Sequence, residues 1–123
     1  MIINRKKLAI TYEEIKVPVF NAIITICSTP DIENCKNFFK FNLKAGTDLV
    51  ENEAVSIHIG QGKYMLVFNE KLSNSYVVHE IIHLVNFLYK DYGIELDINN
   101  DENYAYQCKW FFEKIENFIK RIE

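Results

Sequence analysis

The chain has few of the residues that break up or cross-link a fold. Its 123 residues include only four glycines, two prolines and three cysteines. Cys27, Cys35 and Cys108 are odd in number and show no Cys-x-x-Cys spacing, which argues against both a disulfide framework and a thiolate zinc site. We therefore expect reduced cysteines, buried in the core of a cytoplasmic protein.

Long apolar runs and an excess of positive charge are also missing. No stretch approaches the roughly 20 apolar residues that a membrane span needs, and the N-terminus lacks the pattern of a secretion signal. The net charge is −3, so there is no electrostatic basis for binding nucleic acid. The short basic cluster at residues 5–7 is typical of a solvated face. These absences predict a cytoplasmic protein that binds neither membranes nor nucleic acids.

What the chain does contain indicates one globular domain over residues 1–123, because apolar residues make up 49% and aromatic residues 14%. Residues 1–14 are ambiguous: residues 7–11 could form a short strand and residues 12–14 a turn or a helical piece. The β-branched run at residues 15–28 predicts a single strand, with Pro18 confined to its start or to an edge. Thr29 and Pro30 predict the start of an amphipathic helix over residues 30–42.

The second half of the chain predicts a loop, a hairpin and two helices. The loop covers residues 42–53, and the hairpin consists of a half-exposed strand at 53–59, a turn at 60–62 and an apolar strand at 64–68. A central helix runs from a cap at residues 73–75 to about Tyr92, where Gly93 can end it. The last helix opens at residues 99–102. Its expected core face is Ala105, Cys108, Phe112, Ile115, Ile119 and Ile122, flanked by Tyr104, Phe111 and Phe118. This order predicts an α+β domain with a small mixed sheet.

The central helix carries the sequence His79-Glu80-Ile81-Ile82-His83. Histidines at positions i and i+4 of a helix lie on one face, so both imidazoles can reach one ion. Glu80 lies roughly 100° round the helix from His79, near enough to contact a water at that ion. This is the HExxH pattern of two zinc ligands and a general base. The alternative is a buried helix with two hydrogen-bonded core histidines, but unpaired polar groups in such a helix would cost several kcal/mol, and a metal satisfies them.

A catalytic zinc site commonly takes a third protein ligand, and Glu102 is the candidate. It follows His83 by 19 residues, in the first turn of a helix that can pack back along the central one. The alternative is a capping box in which Glu102 pairs with Asn99, and spacing alone leaves both open. The loop acids Glu95 and Asp97 also stay open as ligands.

The HEIIH sequence, followed by Glu102-Asn103-Tyr104-Ala105 and an aromatic-rich helix, resembles the gluzincins. In that group HExxH supplies two zinc ligands and a glutamate from a later helix the third, which would make Glu102 the third ligand of a zincin-like fold. The motif is also similar to that of the ImmA/IrrE-type peptidases of mobile elements, and the layout resembles small HExxH proteins carried by phages. This chain lacks the helix-turn-helix of many repressor-cutting relatives, so a repressor substrate is not implied.

The sequence therefore predicts a metallopeptidase that uses Zn²⁺, with Glu80 as general base. Tyr106 and His58 are candidate donors to the oxyanion; the alternatives are a half-buried interface aromatic for Tyr106 and a surface strand histidine for His58. Strand 53–59 would pair with a peptide or protein substrate in extended conformation. The alternative function is a non-catalytic binding protein on a zincin scaffold, for instance one that engages a host factor. A purely structural metal site would have no use for Glu80. The oligomeric state is not predicted, because the apolar strand 64–68 suits a core or a dimer interface.

Overall fold

The computed structural model describes residues 1–40, 54–69 and 72–123. Its elements in chain order are β1 (Ile2–Arg5), a 3₁₀ turn (Lys6–Leu8), β2 (Ile10–Val17), β3 (Ala22–Ser28), α1 (Ile32–Phe39), β4 (Ala54–Gly60), β5 (Lys63–Phe68), α2 (Asn74–Asp91) and α3 (Glu102–Ile122). The predicted α+β class is confirmed. The predicted loop at 42–53 lies outside the described residues. Within the described ranges, no helix combines the length and the apolarity needed to cross a membrane.

The five strands form one mixed sheet in the order β1-β2-β3-β5-β4. Among the strands that the structure describes, only β3 and β5 run parallel, and the other neighbours are antiparallel. The small mixed sheet predicted from the sequence is therefore confirmed. Among the described strands β4 is at one edge of this sheet, and helix α2 packs beside it.

The central strands are buried on both faces because helices cover both sides of the sheet. Along β5, Tyr64, Leu66 and Phe68 face the core shared with α2 and α3. The intervening Met65 and Val67 face a second core on the α1 side. Successive side chains of a strand point to opposite faces, so an uninterrupted apolar strand is what two covered faces require.

The single strand predicted at residues 15–28 is wrong. The chain instead turns back at residues 18–21, and β2 pairs with β3 so that Val17 lies opposite Ala22. Pro18 has no N–H to give to a ladder, and Val19, at φ 73°, is 99% exposed at the tip of the turn. Residues 10–14 belong to β2, so the turn or helical piece at 12–14 is wrong. The short strand at 7–11 is correct only for residues 10–11, because residues 7–8 lie in the 3₁₀ turn.

Helix α1 is shorter than predicted. The N-cap is Asp31, whose side chain accepts a hydrogen bond from the Glu33 N–H at 2.9 Å. The hydroxyl of Thr29, the predicted start, bonds to the backbone of Asp31. The helix ends at Phe39 because Lys40 takes the left-handed conformation, with φ 56°.

The hairpin between β4 and β5 turns through Gln61 and Gly62, both with positive φ, as a type I′ turn requires. Glycine is needed at the second position for a further reason. A Cβ on Gly62 would lie 2.5 Å from the carbonyl oxygen of Asn21. The Gly62 carbonyl accepts a hydrogen bond from the Ile23 N–H at 2.8 Å, which ties this turn to the start of β3.

Helices α2 and α3 cover the other face of the sheet. Gly93 is left-handed, with φ 65°, directly after α2, so its predicted role is confirmed. The core face of α3 is rotated relative to the prediction: Phe111, Ile115 and Phe118 are buried, whereas Ala105 is exposed.

Candidate metal centre

The two histidines of the HExxH sequence lie together on the exposed side of α2. Their Nε2 atoms are 3.2 Å apart, and their rings meet at 73°. The side chain of His79 is 64% exposed, and His83 is also exposed. The alternative of two hydrogen-bonded core histidines therefore does not describe these side chains.

The spacing of the two nitrogens fits the donor set of a zinc ion. Imidazole nitrogens bind zinc at about 2.0–2.1 Å, so two of them on one tetrahedral ion are separated by about 3.3–3.4 Å. The observed 3.2 Å is close to that value. In the absence of a cation the same distance suits one N–H···N hydrogen bond, in which one imidazole donates and the other accepts.

Glu80 lies beside this pair, on the inner side of the helix. Its side chain is 8% exposed, and its Oε1 is 4.0 Å from the Nε2 of His79. The hydroxyl of Ser56 contacts both the Oε2 of Glu80 and its backbone oxygen, the latter at 3.0 Å. Strand β4 thus holds the carboxylate of Glu80 from the side opposite the histidines.

A cleft of about 570 Å³ opens over these groups, between β4 and the first four turns of α2. Ala54 and Val55 line it from the strand, and Tyr76 and Phe87 line it from the helix. Among the described lining residues, Glu80 is the only one with a carboxylate, and none is a lysine or arginine. The cleft therefore presents two imidazoles and one carboxylate beside the apolar side chains of Ala54, Val55 and Phe87.

Glu102 is exposed in the first turn of α3. No side chain caps the start of this helix, so the capping box with Asn99 is not formed. The N–H of Asn99 instead donates to the Oδ1 of Asp97 at 2.9 Å. Within the described ranges, no three His, Cys, Asp or Glu side chains lie close enough together to hold a metal ion. Glu102 therefore does not form a three-ligand cluster with His79 and His83 in this structure.

The first turn of α3 is nevertheless fastened to the histidine-bearing helix. The hydroxyl of Tyr104 donates to the Oδ1 of Asn86 at 2.9 Å, and the Tyr104 ring packs edge-on against Tyr89. Asn86 follows His83 by three residues, so the two share a face of α2. The end of α3 that carries Glu102 therefore lies along the second half of α2.

Of the two candidate oxyanion donors, Tyr106 is 63% exposed on α3. His58 lies on β4 and bonds through its Nε2 to the Oδ2 of Asp91 at 2.7 Å. It lines a second cleft of about 400 Å³, together with Asp91 and the β4–β5 turn. Neither residue lines the cleft over the histidine pair in the described part of the chain.

Asp91 also accepts a hydrogen bond from the buried hydroxyl of Tyr64. Burial favours the neutral form of Asp91, but the bonds from Tyr64 and His58 together outweigh it and hold the pKa of the carboxyl below its usual value. Burial raises the pKa of the Tyr64 phenol most, and the hydrogen bond to Asp91 raises it further. Asp91 is therefore the anionic partner of both groups.

Sequence reasoning missed Ser56, Phe87 and Asp91 as parts of this region. A signal for two of them was available, because His79, His83, Phe87 and Asp91 recur every fourth residue and so form one stripe of α2. Ser56 lies between the half-buried Val55 and the buried Ile57 on β4, but only the packing of β4 beside α2 shows that it faces Glu80.

No protein-family model, curated protein or solved structure shows a significant match to this chain. Inference about function therefore starts from the residues of the cleft and their geometry.

Proposed function

We propose that this protein is a zinc-dependent metallopeptidase on a zincin-like fold, in which His79, His83 and Glu102 hold the ion and Glu80 is the general base. One observation carries the proposal: the two imidazole nitrogens are 3.2 Å apart, with the Glu80 carboxylate 4.0 Å from the nearer one. Two imidazoles on one helix face are the donor set that zinc prefers among common cations. The predicted cytoplasmic location is part of this proposal.

Two observations support Glu102 as the third ligand: the position of the first turn of α3, and the fact that its carboxylate does not form a capping box. The bond between Tyr104 and Asn86 keeps the first turn of α3 beside α2. The carboxylate of Glu102 is not used in a capping box, because the start of α3 has no side-chain cap. The Glu102 side chain, or the first turn of α3 that carries it, would have to move to bring the carboxylate to the histidines.

When bound, zinc supplies Lewis acidity, which acidifies a water and polarises a carbonyl. Glu80 accepts a proton from the attacking water at a carboxylate oxygen and passes it to the nitrogen of the leaving amine. Ser56 orients Glu80 for this transfer through its bond to Oε2. Tyr106 and His58 stay predicted donors to the oxygen of the scissile carbonyl. Because His58 donates its Nε2–H to Asp91, its Nδ1 can donate to that oxygen only in the imidazolium form.

The substrate proposed is a peptide or protein segment in extended conformation. Strand β4 pairs only with β5 among the described strands, so its outer edge can hydrogen-bond to a substrate main chain. The cleft beside β4 includes Ala54, Val55 and Phe87 in its lining and contains no lysine or arginine among the described residues, which suits an apolar side chain next to the scissile bond better than an acidic one.

The test compares Glu80→Gln and His79→Ala with the wild-type protein, using zinc content by elemental analysis and hydrolysis of a mixed peptide library by mass spectrometry. Glu80→Gln should retain zinc and lose hydrolysis by at least about 100-fold, because general base catalysis contributes that much or more. His79→Ala should lose the metal. If Glu80→Gln hydrolyses peptides as fast as the wild type, the peptidase mechanism is wrong, and the binding-protein alternative is favoured.

A further inference from the structure

Four nearly parallel rings connect the core of the sheet to the candidate metal ligand His83. Tyr64 and His58 stack with centroids 5.6 Å apart at 10°, and His58 and Phe87 with centroids 5.2 Å apart at 14°. Phe87 and His83 continue the series at 6.4 Å and 23°. All three separations fall within the range in which aromatic rings interact favourably. We call these four rings the aromatic stack.

One end of the aromatic stack is fixed in the protein core. Tyr64 is 1% exposed, and it lies directly opposite His58 in the pairing of β4 with β5. Asp91 accepts hydrogen bonds from both Tyr64 and His58 through the same Oδ2 atom. The ring plane of His58 is therefore set by a buried neighbour on one side and by a charge-assisted hydrogen bond at its edge.

The other end of the aromatic stack is the exposed imidazole of His83. An exposed histidine on a helix normally samples more than one rotamer, and fixing a side chain in one rotamer costs conformational entropy. Phe87, one helical turn further along α2, stands between His83 and His58 and is part of the wall of the histidine cleft. A ring held against His58 cannot swing aside and leave room for His83 to turn towards β4.

We propose that Phe87 and His58 are positioning residues, which hold the His83 imidazole in the rotamer that brings its Nε2 to within 3.2 Å of His79. The inference rests on the proposed metal site but assigns His58 a role distinct from that of an oxyanion donor. Preorganising His83 removes part of the entropy cost of binding an ion, as outer contacts commonly do for metal ligands.

The test uses the metal-free protein first, so that it does not depend on zinc. Side-chain order of the His83 ring is measured by ¹³C relaxation in the wild type, in His58→Ala, in His58→Phe and in the control Ile59→Ala. Ile59 is the next residue of β4 and is 40% exposed. The His83 order parameter should fall below about 0.6 in His58→Ala and stay near the wild-type value in the control. His58→Phe keeps a flat ring between Tyr64 and Phe87 but loses the bond to Asp91, so its order parameter should lie clearly above that of His58→Ala.

Zinc affinity by competition with a chelator then tests the consequence. The dissociation constant should rise by about 10-fold in His58→Ala and by less than about 2-fold in His58→Phe. If His58→Ala does not fold, Phe87→Leu replaces it, because leucine keeps apolar volume without a flat face; the same losses are expected.

Unchanged His83 order in His58→Ala overturns the positioning role, and so does equal loss in His58→Ala and His58→Phe. Failure of the wild type to bind zinc, together with the expected loss of order in His58→Ala, would refute the proposed peptidase while leaving the restraint on His83 supported. The two failures are therefore distinguishable.

Discussion

Replacing Ser56 by alanine removes the hydroxyl that holds Glu80, and the structure sets the size of the effect. The Glu80 side chain is 8% exposed, so water replaces the lost donor poorly. A hydrogen bond to a charged group contributes about 1.5–3 kcal/mol. The second contact of Ser56, to the backbone oxygen of Glu80, adds little, because a carbonyl within a helix keeps its partner four residues on. We expect Ser56→Ala to lower the free energy of unfolding by about 1.5–3 kcal/mol.

The assay is urea denaturation followed by circular dichroism, with Ser75→Ala as the matched control. Ser75 lines the same cleft, but within the described residues its exposed hydroxyl contacts another serine hydroxyl, that of Ser73, at 3.1 Å, and no carboxylate. Its replacement should change the unfolding free energy by less than about 0.5 kcal/mol. If Ser56→Ala is no more destabilising than Ser75→Ala, the hydroxyl does not hold Glu80 in solution.

A double-mutant cycle locates the effect in the carboxylate itself. In a Glu80→Gln background the partner is a neutral amide, and a neutral hydrogen bond contributes only about 0.5–1.5 kcal/mol. The loss caused by Ser56→Ala should therefore shrink by about 1 kcal/mol. An equal loss in both backgrounds would refute an interaction between the hydroxyl and the charged carboxylate.

Two further predictions concern stability. Burial raises the pKa of Glu13, but hydrogen bonds from Arg121 and the N-terminal amine outweigh burial and lower the pKa. The ionised Glu13 therefore stabilises the fold above about pH 4.5, and this contribution is lost as the pH falls through the lowered pKa. Glu13→Gln should flatten the acid side of the stability profile measured by thermal denaturation, and an unchanged profile would contradict this. Gly62→Ala should lower the free energy of unfolding by about 1–3 kcal/mol, more than Gly93→Ala does. Both glycines have positive φ, but only a Cβ at Gly62 would meet a backbone oxygen, that of Asn21. Urea denaturation midpoints compare the two variants, and equal midpoints would contradict the prediction.

The local part of the site was predictable because helix geometry alone fixes it. Residues four apart on a helix share a face whatever the helix packs against, so His79 and His83 come together in the structure as the motif requires. Glu102 is a different case. Its distance from the histidines depends on how the segment between α2 and α3 folds and how the first turn of α3 docks, and no local pattern encodes that.

The strands show the same division between local and long-range information. The apolar strand at 64–68 was predicted within one residue of β5, because it is apolar on both faces and bounded by a glycine turn. Residues 15–28 were misassigned, because β-branched residues lie on both sides of Pro18 and only the pairing of β2 with β3 shows that the chain reverses there. The burial of Glu13 was missed for a similar reason: its partner Arg121 is 108 residues away.

Some contacts of the site lie within α2 and others join α2 to β4, and this difference affects the order in which they are lost on heating. Helix geometry alone places His79 and His83 on one face of α2, so the pair stays together, with a less ordered His83 ring, when the helix loosens from the sheet. The hydrogen bond from Ser56 to Glu80 and the stacking of His58 on Phe87 both join β4 to α2. We expect these contacts to be lost first when the helix separates from the sheet. On the proposed function, a warmed or partly unfolded molecule should therefore still bind a divalent ion, more weakly than the folded protein, after it has lost peptide hydrolysis.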